Sequence, residues 1–185
     1  TQWSLAPKLT EANISQFNLE LTSRCPVSDV EVTHQFTLDP THSVLRLSVS
    51  VRNLSDQATL FIDNCAATLQ LPDHLTELEE VTGRWANEFQ NQRHAITCSA
   101  YVRENWTGRS SHHMNPTITL FEKTTCASHG DVLGVHLGWS GNHQIRVESL
   151  ADGRQMLQAG ELLRPGELEL GPGEEYESPR LYLCH

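Results

Sequence analysis

Residues Val44 to Arg52 read Val-Leu-Arg-Leu-Ser-Val-Ser-Val-Arg, which puts Leu45, Leu47, Val49 and Val51 on one side and Arg46, Ser48, Ser50 and Arg52 on the other. A period of two is the signature of a strand with one packed face and one wet face, because successive side chains point to opposite faces of the sheet. Comparable runs occur at Phe17–Thr22, Glu31–Leu38, Ala58–Asp63, Ala67–Leu71, Ala95–Arg103, Thr117–Glu122, Val132–Trp139, His143–Ser149, Arg154–Ala159 and Arg180–Cys184. No stretch carries a sustained helical stripe.

Turn chemistry falls between these runs. Asp152-Gly153 lies between apolar segments and predicts a two-residue hairpin with positive φ at both central positions. Ser140, Gly141 and Asn142 separate Val135–Trp139 from His143–Val147 in the same way, and Pro165-Gly166 and Pro172-Gly173 punctuate the C-terminal region. Short strands joined by tight turns, without crossover helices, predict an all-β chain: a large antiparallel β-sandwich of the supersandwich kind, with few or no helices. A closed barrel is the alternative. Glu161 to Ser178 is rich in Gly, Pro and Glu, but Leu162, Leu163, Leu168 and Leu170 anchor it as a loop-and-strand return. Residues 1–185 are therefore expected to form one domain.

That length is enough for a core, since a compact chain of this size removes roughly 70% of the surface its unfolded form exposes. The net charge of −10, with only 13 scattered basic residues, argues against nucleic acid or an anionic membrane as partner. No apolar run approaches the ~20 residues of a membrane-spanning helix, and Thr1 to Leu21 alternates instead of forming a signal-like block. The five cysteines, Cys25, Cys65, Cys98, Cys126 and Cys184, are odd in number and include no Cys-x-x-Cys pair, so reduced, mostly buried thiols and a cytoplasmic location are expected. Sequons at Asn13, Asn53 and Asn105 carry little weight at such short length. A first residue that is Thr and a last stretch, Leu181 to His185, that reads as a strand cut in mid-course lead us to expect a piece of a longer protein.

The candidate chemistry lies between Thr82 and His143. Among His112, His113, His129, His136 and His143, the adjacent pair could share an ion only from a loop, because neighbours on a strand face opposite ways. Hydrogen-bonded or surface histidines are the expectation, with no metal and no cofactor. Ser110 and Ser111 beside His112 are neighbours in sequence, and no carboxylate is marked out to orient a base. The acidic pairs Glu79-Glu80 and Glu174-Glu175 read as solvated faces rather than as a glycosidase pair. The tryptophans are more informative. Burying one removes ~150–250 Å² from water, worth roughly 4–6 kcal/mol at the upper limit, so an exposed one forfeits much of that. Trp139, ending an alternating run, is expected to pack. Trp85 and Trp106 lie nearer turns, as interface anchors or as a sugar-stacking platform.

Taken together, Thr82-Gly83-Arg84-Trp85, then Gly108 to Pro116 (Gly-Arg-Ser-Ser-His-His-Met-Asn-Pro), then Gly130 to Gly134 leading to Trp139-Ser140-Gly141-Asn142, and finally Pro172 to Pro179 form an ordered series. The series resembles the N-terminal β-sandwich domain of family 36 glycoside hydrolases, the α-galactosidases or melibiases. That family carries Thr-Gly-Arg-Trp, Ser-Arg-Arg-Gly-x-Ser-Ser-His-x-x-Asn-Pro, a strand ending in Tyr-Ser-Gly-Asn, and a Pro-Gly-Glu return, in the same order. The chain departs from it in the shifted Gly108-Arg109, in Trp139 for Tyr, and in Thr117 after Asn-Pro. Its first eighty residues match only as a strand series.

The resemblance implies a noncatalytic scaffold and oligomerisation domain. The catalytic (β/α)₈ barrel of such enzymes begins after the return strand, and its aspartate elements do not occur in these residues. The implied activity of the intact enzyme is retaining hydrolysis of terminal α-galactosides of the melibiose or raffinose type. The implied partners are the chain's own barrel, neighbouring subunits of a homo-oligomer, a tetramer in many members, and the galactoside substrate. Arg84, Trp85, Trp106, Arg109, His112 and Asn115 are then the candidates for the interface with the barrel or for the rim of the sugar pocket. A carbohydrate-binding β-sandwich module is the alternative.

Overall fold

The computed structural model describes residues 5–97 and 99–185; Cys98 and its thiol lie outside the described residues. The strands in chain order are β1 (Lys8–Ile14), β2 (Asn18–Cys25), β3 (Val30–Asp39), β4 (Val44–Asn53), β5 (Leu60–Ile62), β6 (Ala66–Leu71), β7 (Leu75–Arg84), β8 (Asn87–Ala95), β9 (Ala100–Asn105), β10 (Thr117–Glu122), β11 (Val132–Leu137), β12 (His143–Ser149), β13 (Gln155–Glu161), β14 (Leu168–Leu170), β15 (Glu175–Glu177) and β16 (Leu181–Cys184). No helix interrupts them among the described residues.

The large sheet runs β1-β2-β3-β4-β16-β11-β10-β7-β8, and β15 shares an edge of β4 with β16. A smaller sheet runs β6-β13-β12-β9, and β14 pairs with β5 in a short ribbon. Every pairing is antiparallel, as expected for a sandwich whose outer faces meet water. The expectation of an all-β antiparallel sandwich is met.

The core lies where the small sheet covers the middle of the large one. Leu47 and Val49 of β4, Leu78 of β7, Ile118 and Leu120 of β10, Val135 and Leu137 of β11 and Leu181 of β16 face Ala67, Leu71, Ile145, Val147, Leu157 and Ala159 of the small sheet. Each buried Leu, Ile or Val contributes about 1.5–3 kcal/mol relative to exposure. The large sheet has two wings beyond that cover. At one edge every residue of β1 is exposed; at the other, every residue of β8 is exposed except half-buried Glu88.

Several local expectations need correction. The run at Ala95–Arg103 is not one strand: β8 ends at Ala95 and β9 starts at Ala100, and the two belong to different sheets. The turn after β12 is not a two-residue hairpin. Ala151, Asp152 and Gly153 form its loop, with Gly153 alone in the left-handed region at φ +89°, and Leu150 N donates to Arg154 O at 2.8 Å. Ser140–Asn142 is not a hairpin turn either, because it carries the chain from β11 in the large sheet to β12 in the small one. Trp139 lies past the end of β11 and stays 36% exposed, its indole N–H donating to Asn142 O at 3.0 Å. The expectation of mostly buried thiols holds for Cys25 and Cys65, whereas Cys126 and Cys184 are exposed.

Candidate functional site

The loop from Trp106 to Pro116 joins β9 of the small sheet to β10 of the large one, so it bends over the end of the sandwich. Asn105, fully buried at the end of β9, holds its base. Its side-chain amide donates to Arg109 O at 2.9 Å and Gly141 O at 3.3 Å, and its Oδ1 accepts Thr107 N at 3.0 Å and Thr107 Oγ1 at 2.7 Å. The crossing segment supplies two more ties: Gly108 N donates to Asn142 Oδ1 at 2.8 Å, and Ser110 N to Ser140 O at 2.7 Å. The Gly108–Pro116 and Trp139–Asn142 elements are thus one structure, each satisfying backbone groups the other leaves open.

Arg103 fixes the far side. It is 5% exposed, its Nε lies 3.1 Å from Glu80 Oε2, and its Nη2 donates to Val81 O at 3.1 Å and His113 O at 3.2 Å. One guanidinium therefore joins β9, β7 and the loop, a task suited to a rigid fork of donors. Burial, and then the Glu80 carboxylate, push the neighbouring Tyr101 hydroxyl well above its ordinary pKa. His143 is fully buried with Nδ1 donating to Gly141 O at 3.0 Å. Burial holds its pKa below the ordinary value; the Gly141 carbonyl acts against this, and the Arg103 charge adds to it.

On this frame Arg109, Ser110, Ser111, His112, Asn115 and Pro116 line an open depression of about 500 Å³. A second hollow of about 130 Å³ lies between the loop and the β7–β8 hairpin, walled by Ser111, His112 and Asn115 on one side and Val81, Glu88 and Phe89 on the other. His112 and Asn115 belong to both, so the structure brings Arg109, His112 and Asn115 together. Arg84 and Trp85 line neither hollow. They sit at the hairpin tip, where Arg84 pairs with Asn87 around a Trp85-Ala86 turn. Gly83 makes that tip possible: its φ is +144°, and a Cβ there would lie 2.6 Å from Asn87 O. Trp85 is 84% exposed and Phe89 81%. Trp106 stands apart, 49% exposed, its indole N–H on Glu104 Oε2 at 2.8 Å and the Arg164 guanidinium 5.7 Å from its ring centre. One of its faces is therefore occupied.

The remaining histidines have separate partners. His113 Nδ1 is 3.0 Å from Ser111 Oγ, His136 Nδ1 is 2.8 Å from Thr117 Oγ1, and His129 lies beside Cys126. No group of three or more His, Cys, Asp or Glu is placed to hold a metal ion among the described residues. Two of the three sequon asparagines are structural. Asn53, 1% exposed, donates to Ala58 O and Leu170 O at 2.7 and 2.9 Å while its Oδ1 accepts Ser55 N, the same turn that Asn105 makes with Thr107. Arg103 and Phe89 are site residues not singled out from sequence, Asn105 and His143 stand out there only as a sequon and as one of several histidines, and Glu80, expected on a solvated face, is instead half-buried against Arg103. A signal existed for three of them: Arg103 and Asn105 keep phase with half-buried Tyr101, and His143 keeps phase with Ile145 and Val147, so each is a polar residue on an inward face.

Comparison with known proteins places this geometry in context. The model of the glycosyl hydrolase family 36 N-terminal domain matches residues 6–171. An α-galactosidase of Escherichia coli is 36% identical over 167 residues, which cover 90% of this chain and 23% of that protein. An α-galactosidase of Lactobacillus acidophilus is 28% identical over 167 residues, again 23% of its length. The chain thus spans about a quarter of the length of the curated relatives it matches. Among solved structures, a family 36 α-galactosidase of Geobacillus stearothermophilus with 1-deoxygalactonojirimycin bound superposes with a TM-score of 0.86 at 20% identity, covering 98% of this chain and 28% of that one. A galactose mutarotase related enzyme of Lactobacillus acidophilus shares the fold more distantly, with a TM-score of 0.51 at 11% identity over 95% of this chain and 70% of that one.

Proposed function

As this chain belongs to the family of glycosyl hydrolase family 36 N-terminal domains, we propose that it is the noncatalytic sandwich of an α-galactosidase, a scaffold on which a catalytic barrel and neighbouring subunits dock. The match over residues 6–171, with α-galactosidases as the full-length relatives, carries this reading. The intact enzyme hydrolyses terminal α-galactosides of the melibiose or raffinose type with retention, using two carboxylates about 5–5.5 Å apart on the barrel. It works in the cytoplasm, where cysteines such as exposed Cys126 and Cys184 are not locked into structural disulfides.

The surface supports such docking. Arg109, His112 and Asn115 offer planar polar groups around an open depression, suited to backbone carbonyls, carboxylates or sugar hydroxyls of a facing partner. Beside them, Arg84, Trp85 and Phe89 project on a hairpin whose aromatic rings gain about 2–3 kcal/mol each when a partner covers them. The test is turnover of an aryl α-galactoside by this chain alone and by the polypeptide extended through the barrel. No turnover by the first and turnover by the second is expected; hydrolysis by the chain alone would overturn the reading. The exposed Trp85 ring favours a second reading, a sugar-binding module, whereas Trp106 with Arg164 over its ring makes a poorer platform. Calorimetric titration with galactose and raffinose separates the two, since a module binds at millimolar or tighter levels and loses that binding in Trp85→Ala.

A further inference from the structure

At the opposite end of β10 from the polar depression, the loop between β10 and β11 presents a second group of reactive side chains. Cys126 and His129 pair as an isolated antiparallel bridge, with Cys126 N donating to His129 O at 2.9 Å. The turn between them returns the chain so that His129 Nδ1 lies 3.2 Å and Ser128 Oγ 3.3 Å from the Cys126 sulfur, with Ser128 Oγ also 3.3 Å from His129 Nδ1. The loop has a set shape. Thr125 N donates to Glu122 O at 2.9 Å, Thr125 Oγ1 to Asp131 O at 3.1 Å, and Gly130 takes φ +124° where the chain packs against Thr125. All three side chains face solvent.

A sulfur so surrounded has donors ready for its anion. The Ser128 hydroxyl, then the backbone N–H groups of Ser128 and His129, draw the Cys126 thiol below its ordinary pKa, against a small opposing effect of burial. The other described thiols lack this combination. Cys65 is buried and pushed up to about 11. Cys25 has a hydroxyl partner, Ser28 at 3.1 Å, and is lowered to about 7, but at 1% exposure it offers no path to a reagent. Cys184 is exposed at the end of β16. Reactivity needs both thiolate character and access, and Cys126 joins the two.

We propose that the Cys126–Ser128–His129 group is a thiol modification site that forms mixed disulfides with low-molecular-weight disulfides. The Cys126 thiol gives up its proton, and the thiolate attacks one sulfur of RS–SR. The Cys126 S–S bond forms as the RS–SR bond breaks, and the departing RS⁻ takes up a proton to leave as RSH, so no other oxidant enters. The site lies away from the depression proposed as the docking surface, and its chemistry does not depend on that reading.

The test is reaction of the native chain with 2,2′-dithiodipyridine, quenched at intervals and mapped peptide by peptide so that each of the five cysteines is followed. Cys126 is expected to react ahead of Cys25, Cys65 and Cys184, on the order of tenfold faster than Cys184. A Ser128→Ala/His129→Ala variant, checked for an unchanged circular dichroism spectrum, slows Cys126 severalfold while leaving Cys184 as it was. Earlier or equal labelling of Cys184, or an undiminished Cys126 rate in the double variant, overturns the proposal.

Discussion

Replacing Arg103 with Met keeps most of the apolar stem and removes the guanidinium that joins β9, β7 and the Gly108–Pro116 loop. Three contacts go: the ion pair with Glu80 at 3.1 Å and the donations to Val81 O and His113 O at 3.1 and 3.2 Å. Breaking a buried pair by deleting one partner costs about 3–5 kcal/mol, because the other charge stays desolvated. Here the cost falls below that range. The Glu80 side chain is 15% exposed and keeps His94 Nε2 at 3.3 Å, and Arg103 Nη1, buried without a partner, disappears along with the rest. Removing such an orphaned donor returns about 1 kcal/mol. The net expectation is a loss of about 2–3 kcal/mol, which lowers a urea midpoint by about 1 M at a slope of about 2 kcal/mol/M. Amide exchange should quicken most at residues 108–116. A midpoint lowered by less than about 0.3 M at unchanged slope would refute the bracing role.

Gly83→Ala should cost about 1–3 kcal/mol and loosen the hairpin tip, read as altered Trp85 fluorescence, because the new Cβ meets Asn87 O and φ +144° is strained for any other residue. Converting Trp85 and Phe89 together to Ser should change the stability of this chain by no more than about 0.5 kcal/mol each, since both are more than 80% exposed, while weakening its association with the barrel in sedimentation. The pKa values of His143 and His34 are lowered by burial below the ordinary 6.5. Below pH 6.5 the unfolded chain therefore binds more protons than the folded one, and stability should fall as pH drops from 6.5 toward 5; urea midpoints that stay flat or rise over that window contradict this.

Alternation revealed the strands that cover the core, and β4 most clearly, because there one face is dry and the other wet. It failed at β7, where buried Leu75 and Leu78 lie three apart across a register shift, and at β8 and β1, the wings of the large sheet. With nothing covering them, residues such as Glu88, Gln90 and Gln92 need no apolar phase. The exchange of sheets at Ser140–Asn142 was equally hidden: Ser, Gly and Asn satisfy a tight turn whether the next strand pairs with the last or crosses to the other layer. In the site, the loop motif announced Arg109, His112 and Asn115, but not the frame beneath. Arg103 and Asn105 act through carbonyls of residues distant in sequence, and that information exists only once the sheets are packed. The sequence left Trp106 between interface anchor and sugar platform because Arg164, its partner, lies 58 residues further along the chain.

The claim on which the rest depends is that the Gly108–Pro116 loop and the β7–β8 tip form the surface on which a larger glycosidase assembles. Hydrogen exchange, compared between this chain alone and the intact protein, tests it most directly. Slower exchange is expected at residues 84–90 and 108–116 in the intact protein. Unchanged exchange in both segments, with protection gained on another face, would contradict it.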